Sequence, residues 1–325
     1  MSVVTLSNPN SRSAAKHLGA LHAALPTNAQ TTHFVTESMA ELDHLIANHP
    51  WQSHETLVIN GGDGSVQRVL TLLRARLDFA LWPRIAILPA GHTNMSAYDV
   101  NLHRQFDHCL NRLSTMTNQD TKENVHHQPV VQVENGGKQN LGFFFGIGTI
   151  VSGIEYFHAQ LRPMGGGHEV GAALALLRTL WGILRKQPPF AESLPVTMPS
   201  RPVSKTTDHS TDFGTSPIHP IRVRLCLVTT LQRLFLGMRP YWGTHKAPLR
   251  ATLVEERATQ FLLNLPRLMR GRPNCDMTIP SGYHSENLND LALNFTGPYT
   301  LDGELFNNVG ELKINATPPL RFLKL

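Results

Sequence analysis

Asn60-Gly61-Gly62-Asp63-Gly64-Ser65 is the stretch whose residue types and spacing most directly suggest chemistry. It follows an apolar run, Leu57-Val58-Ile59, and precedes Val66, Val69, Leu70 and Leu73, whose i, i+3, i+4, i+7 spacing predicts one face of a helix. Glycines let the backbone turn sharply and approach a ligand closely, leaving N–H groups free to point at phosphate oxygens. The helix opening near Ser65 adds its positive dipole end to the same spot, so the pattern predicts a phosphate site. A carboxylate does not favour an anion, so Asp63 either caps the helix, holds Mg²⁺ or orients a hydroxyl.

Two further stretches carry polar groups in similar settings. Leu88-Pro89-Ala90-Gly91-His92-Thr93-Asn94 is a second strand-to-turn unit ending in hydroxyl and amide groups. In a parallel α/β sheet, two such turns at the carboxyl ends of adjacent strands converge on one crevice, which would give Thr93 and Asn94 access to a ligand held by Gly61 to Ser65. Near the carboxyl terminus, Tyr299-Thr300-Leu301-Asp302-Gly303-Glu304-Leu305-Phe306 sets two carboxylates around a glycine. That is a hairpin turn on a structural reading. On a functional reading, one carboxylate is a general base for an attacking hydroxyl and the other orients it or contacts metal.

The elements that must position these residues fall into two textures. Residues 1–120 alternate strands and helices: Val3, Val4 and Leu6 lead into the turn Asn8-Pro9-Asn10-Ser11 and a helix with Leu18, Leu21 and Leu25. Thr32 to Thr36 form a second strand before a helix capped by Ser38, and Ile85 to Leu88 form a fourth. This predicts an α/β lobe with a parallel sheet. From Pro129 onward, short alternating runs such as Val130 to Val133 and Arg222 to Leu227 predict a β-rich lobe. An apolar helix over 170–184 and a Pro/Ser/Thr-rich mobile loop over 195–220 interrupt it. The boundary falls in the polar stretch 118–128, giving lobes of 1–122 and 123–308.

At 325 residues with 41% hydrophobic and 16% charged side chains, the chain has material for two packed cores and too little charge for disorder. Its net charge of +5 suits an anionic partner such as a nucleotide phosphate or an acidic membrane surface. The basic residues are scattered without interleaved aromatics, so nucleic acid is not the expected partner. Cys109, Cys226 and Cys275 are odd in number and far apart, which fits a reducing cytoplasm, and no apolar run is long enough to span a membrane.

Taken together, the motifs resemble the diacylglycerol-kinase-like catalytic family of bacterial diacylglycerol kinases, sphingosine kinases and ceramide kinases. Residues 60–65 look like its Gly-Gly-Asp-Gly-Thr nucleotide loop, with Ser65 keeping the hydroxyl; residues 8–11 look like its opening Asn-Pro turn. Residues 88–94 resemble its Leu-Pro-x-Gly-Thr-x-Asn segment, and Asp302-Gly303-Glu304 its late Asp-Gly-Glu. The resemblance implies a phosphofructokinase-like N-terminal lobe, a β-sandwich-like C-terminal lobe, and ATP with Mg²⁺ in the cleft between them. It also implies that residues from Val309 onward return to the first lobe. Carried over by position, Asn8, Thr36, Gly61, Gly62, Asp63, Gly64, Ser65, Gln67, His92, Thr93 and Asn94 would contact the nucleotide. Glu304 would be the catalytic base, with Asp302 and Asp63 in support. The implied acceptor is a lipid, with peripheral contact at the inner membrane surface.

The sequence also departs from the family pattern. Met95 stands where many members have an acidic residue, His92 where many have Thr, and Arg12-Ser13 where Gly-Lys is frequent. Asp99, one helical turn on, is a substitute for the missing acid, and Arg12 or Lys16 for the missing cation. The acidic metal segment of the β lobe has no match. Two other readings therefore stay open: a kinase of a soluble acceptor, as in the NAD kinases, or a nucleotide- or lipid-binding protein without catalysis. The histidine pair His126-His127 lacks metal-ligand spacing and reads as surface. Gly165-Gly166-Gly167-His168 reads as a hinge, and the helix over 170–184 either packs into the β lobe or lies on an anionic membrane.

Overall fold

Buried β-branched and leucine side chains make the first strand, and the same pattern recurs through the first third of the chain. In a computed structural model, which describes residues 2–11, 14–24, 30–91, 93–116, 123–156, 158, 159, 182, 185, 192–198 and 220–325, strands alternate with helices. The elements are β1 (Ser2–Ser7), α1 (Leu18–Ala24), β2 (Gln30–Val35), α2 (Met39–Asn48), β3 (Thr56–Gly61), α3 (Asp63–Arg76), β4 (Arg84–Pro89), α4 (Met95–Val100), α5 (Phe106–Thr115) and β5 (Val125–Gln128). Strands β2, β1, β3 and β4 lie side by side in that order, all parallel. Every residue of β3 is buried, as a strand covered on both faces requires. Ser38 caps α2 as expected, its hydroxyl accepting from the Glu41 N–H at 3.2 Å.

The second texture is antiparallel. Its elements are β6 (Val131–Asn135), β7 (Lys138–Gly142), β8 (Phe144–Gly148), α6 (Thr149–Tyr156), β9 (Leu194–Val196), β10 (Ile221–Thr229), β11 (Leu249–Glu255), α7 (Phe261–Arg270), β12 (Tyr283–Leu288), β13 (Asp290–Leu301) and β14 (Glu304–Ala316). One hydrogen-bonded path runs β12, β11, β10, β8, β13, β14, β6, with β9 added to β10. Alternate residues point inward, including Leu291, Leu293 and Phe295 on β13, Leu312 and Ile314 on β14, and Val131 and Val133 on β6. They share one core with Val223, Cys226 and Leu253 from the other half of the path, so the sheet folds over itself in a sandwich-like way.

The last strand, β15 (Leu320–Leu323), joins the first sheet between β4 and β5, parallel to the former and antiparallel to the latter. The chain divides into one compact unit of residues 1–130, 139–143 and 317–325, and a second of 131–138 and 144–316. The first extends past the expected boundary at 122 because β5 pairs with β15. The return comes at Thr317 rather than Val309, because β14 keeps pairing with β13 as far as Asn315 opposite Asp290. Residues 139–143 belong to the first unit: the Leu141 N–H donates to Thr71 Oγ1 at 3.0 Å, and the Phe143 ring lies 5.6 Å from that of Phe322.

The start of the expected loop at 195 is instead strand, with Thr197 bridging to Asn294, while 199–219 lie outside the described residues. So do Arg12, Leu25, Gly165 to His168, and all but one residue of the expected helix over 170–184. Among the described residues, no helix is long and apolar enough to cross a membrane. The three cysteines are free, Cys109 and Cys226 buried and Cys275 exposed.

Candidate active site

The glycine-rich loop is the junction of β3 and α3. Gly62 is the N-cap of α3 and has no side chain to accept from the first turn, so the helix starts without a side-chain cap. This loop and the turn after β4 meet backbone to backbone. A Cβ on Gly91 would stand 2.4 Å from the Gly62 Cα, and one on Gly62 would stand 3.1 Å from the Gly91 Cα. At Gly91 a side chain would force the two loops apart, while at Gly62 the neighbouring backbone would have to give by a few tenths of an ångström.

Asp63 ties the same two loops together through its side chain. Oδ2 accepts from the Thr93 hydroxyl at 2.6 Å and the Met95 N–H at 3.1 Å; Oδ1 accepts from the Ser96 N–H at 3.0 Å and the Ser96 hydroxyl at 2.7 Å. One residue thus starts α3 and satisfies the unpaired amides that begin α4. Four donors occupy the carboxylate's acceptor sites, so of the three roles open to Asp63, this arrangement carries out capping and hydroxyl orientation. Asn94 closes the second turn on itself, its Oδ1 accepting from the Gly91 N–H at 2.7 Å and its Nδ2 donating to the Gly91 carbonyl at 3.2 Å. It does so from the left-handed region, at φ 48, which Asn tolerates better than most residues.

The opening turn supports the loop from the β1 side. Asn8 Nδ2 donates to Ser65 Oγ at 2.9 Å, and its Oδ1 accepts from the Asn10 N–H. Ser11 Oγ accepts from the Gly62 N–H at 3.2 Å and lies 3.4 Å from Ser65 Oγ. Below them, Asn60 Nδ2 donates to Ser7 Oγ at 3.0 Å, which also contacts His33 Nε2 at 2.9 Å. Burial, aided by the charge of His22, holds the His33 imidazole below its ordinary range. Neutral imidazole can then accept or donate to suit Ser7.

The remaining expected residues divide. Thr36 is buried at the end of β2, its N–H donating to the Ser7 carbonyl. Gln67 is buried on α3 and donates to the Thr71 hydroxyl at 3.1 Å, so it supports the segment around Leu141. His92 lies outside the described residues. Asp99, the substitute acid, accepts from Gln128 Nε2 at 3.0 Å on β5, and Lys16 is exposed in a 3₁₀ turn. His126 and His127 sit in β5 opposite β15. Among the described residues, no group of three or more His, Cys, Asp or Glu side chains is placed to hold a metal ion.

Asp302 and Glu304 belong to the second unit, where Asp302-Gly303 is the tight turn joining β13 to β14. Both turn residues have positive φ, 51 and 88, the conformation that favours Asp-Gly. Asp302 is buried: its carboxylate accepts from the Phe144 N–H at 2.8 Å, and its own N–H donates to the Phe144 carbonyl at 2.9 Å. It therefore anchors the hairpin to β8. Glu304 opens β14 half-buried, with its carbonyl accepting from the Thr300 hydroxyl at 3.0 Å.

Sequence reasoning missed Ser96, Ser11 and Ser7. Ser96 had a signal: it lies three residues past Thr93, at the helix start where a hydroxyl and an amide can face one carboxylate. Ser11 and Ser7 have no local signal, because their partners are more than twenty residues away.

Comparison with known proteins agrees with the resemblance and with the two-part fold. Residues 2–123 match the model of the diacylglycerol kinase catalytic domain. A "putative diacylglycerol kinase" from Bacillus anthracis str. Sterne superposes with a TM-score of 0.62 at 15% identity, over 100% of this chain and 97% of that one. A diacylglycerol kinase structure from the same organism gives 0.58 at 14% identity, with the same coverage. No curated protein sequence matches.

Proposed function

We propose, from the match of residues 2–123 to the diacylglycerol kinase catalytic domain, that the chain is an ATP-dependent kinase acting on a hydroxyl of a diacylglycerol-like lipid. The observation that carries this reading is the junction of the two loops: an uncapped helix start at Asp63 and Gly64, held open by Gly62 against Gly91 and by the Asp63 carboxylate across to Thr93 and Ser96. Such a junction presents fixed N–H donors to a polyphosphate and needs no rearrangement to do so.

In the reaction, the first-turn amides of α3 and the Ser65 hydroxyl bind phosphate oxygens. Glu304 takes the proton of the acceptor hydroxyl, whose oxygen then forms a bond to the γ-phosphorus as the bond to the β–γ bridging oxygen breaks and ADP leaves. Mg²⁺ would supply charge neutralisation on the phosphates. With Asp63 occupied by four donors, the ion is better held by ATP itself than by this loop.

The test is transfer of labelled γ-phosphate from Mg-ATP to diacylglycerol, monoacylglycerol, sphingoid and phosphatidylglycerol lipids in micelles. A labelled lipid, lost when Gly91 is replaced by Ala, supports the reading and names the acceptor. Label in NAD alone would replace the lipid by a soluble acceptor, and ATP binding without transfer would leave a binding protein.

A further inference from the structure

Among the described residues of the second unit, three two-residue turns have positive φ at both central positions: Gly136-Gly137 (55 and 78), Asp302-Gly303 (51 and 88) and Leu236-Gly237 (54 and 72). The first two carry residues that this turn favours; the third carries leucine, whose Cβ crowds the backbone there. The backbone closes this turn unaided, with Leu234 N donating to Met238 O at 2.8 Å, Gly237 N to Leu234 O at 3.0 Å and Met238 N to Phe235 O at 3.2 Å. The Leu236 side chain is 53% exposed. Asn or Gly would serve the turn better, so what leucine contributes lies outside the fold.

The surroundings indicate what it meets. The tip Leu234-Phe235-Leu236-Gly237-Met238 stands between exposed Arg233 and Arg239, and the chain has no acidic residue from Thr230 through Pro248. Backbone contact joins the tip's end to α7: Arg239 N donates to Met269 O at 2.9 Å, and a Cβ on Gly271 would stand 2.4 Å from the Arg239 carbonyl. The α7 segment, too, lacks acids from Arg257 through Cys275. On α7, Leu263, Arg267 and Arg270 are spaced i, i+4, i+7, hence on one face, and Leu263 is 71% exposed. Among the described residues, the side chains of Arg233, Arg239, Arg267 and Arg270 have no ion-pair or hydrogen-bond partner.

We propose that this part of the second unit docks on an anionic phospholipid surface, with Leu236 and Leu263 entering the boundary between headgroups and acyl chains and the arginines pairing with lipid phosphates. Apolar side chains held out beside unpaired cations, with no acid between them, suit that surface. The inference depends on the lipid-kinase reading only for its purpose, since the binding needs no turnover.

The experiment is sedimentation of the full chain, without nucleotide, with vesicles of phosphatidylcholine alone and of phosphatidylcholine mixed with phosphatidylglycerol. Binding to the mixed vesicles only is expected, about fivefold weaker for each arginine removed in Arg233→Ser and Arg239→Ser. Leu236→Asn is expected to bind at least as poorly as either, with Tm unchanged or raised. Equal partition with both vesicles, wild-type binding by Leu236→Asn, or a lowered Tm in that variant would overturn the proposal, the last by making Leu236 a packing residue. Failure of phosphate transfer with binding intact would remove the kinase reading and leave the docking surface.

Discussion

The Asp63 carboxylate and the Thr93 hydroxyl, 2.6 Å apart, join two loops that the sequence separates by thirty residues. Each loop alone is a common strand-to-helix turn; bonded together, they form a single rigid rim around the start of α3.

Removing that carboxylate should therefore act on structure and binding at once. Asp63→Ala leaves the Ser96 and Met95 amides without their acceptor and should destabilise the first unit by about 3 kcal/mol, as hydrogen bonds to a charged group are lost. Denaturant titration would measure it, and calorimetry should find ATP binding abolished. Full ATP affinity in a variant of normal stability would show that the rim does not hold the nucleotide.

Two glycine-to-alanine changes should have opposite signs. Gly91→Ala drives a methyl into the Gly62 backbone and should cost about 1–3 kcal/mol along with nucleotide binding. Gly19→Ala, in α1 with nothing within 4 Å of its Cβ, should raise stability by up to about 1 kcal/mol and leave binding unchanged. Thermal unfolding of the pair gives the comparison.

Glu304→Gln should keep nucleotide affinity and lower turnover by about 10²–10⁴-fold, as loss of a positioned base does. Asp302→Ala should behave differently, because it removes the acceptor of the Phe144 N–H and its effect should appear in thermal stability. Turnover near wild type in Glu304→Gln would remove that residue from the mechanism.

The thiols should separate by reactivity. Burial pushes Cys226 up to about 12 and Cys109 up to about 11, so neither supplies thiolate at neutral pH. A disulfide reagent should label Cys275 alone in the native protein and all three cysteines after denaturation. Fast labelling of more than one thiol in native protein would contradict the buried positions.

What the sequence revealed followed from local pattern. The i, i+3, i+4, i+7 spacing of Val66, Val69, Leu70 and Leu73 identified the buried face of α3, and Ser38 identified its own cap. The alternating runs at Val130 to Val133 and Arg222 to Leu227 likewise marked strands of the second core. What it concealed depended on groups distant in sequence. Asp63 could be given three roles because nothing in residues 60–65 says that Ser96 lies against it. Gln67 was carried over as a nucleotide contact from the family pattern alone; its bond to Thr71, which reaches Leu141 across seventy residues, has no signal in the local sequence. The return was expected at Val309 from the family resemblance, whereas β14 pairs with β13 as far as Asn315 and the first unit resumes at Thr317.

The placement of β15 between β4 and β5 fixes an order of events as the chain is made. When the ribosome has delivered β1 through β5, the first sheet still lacks the strand that separates its last two members, and Ile85 and Ile87 lie on a β4 with an unpaired edge. All of residues 144–316 must emerge before Phe322 can pair there. The rim around the start of α3 thus belongs to a unit completed last, and a nascent chain that stalls within the second unit would carry an open sheet edge for chaperones to shield.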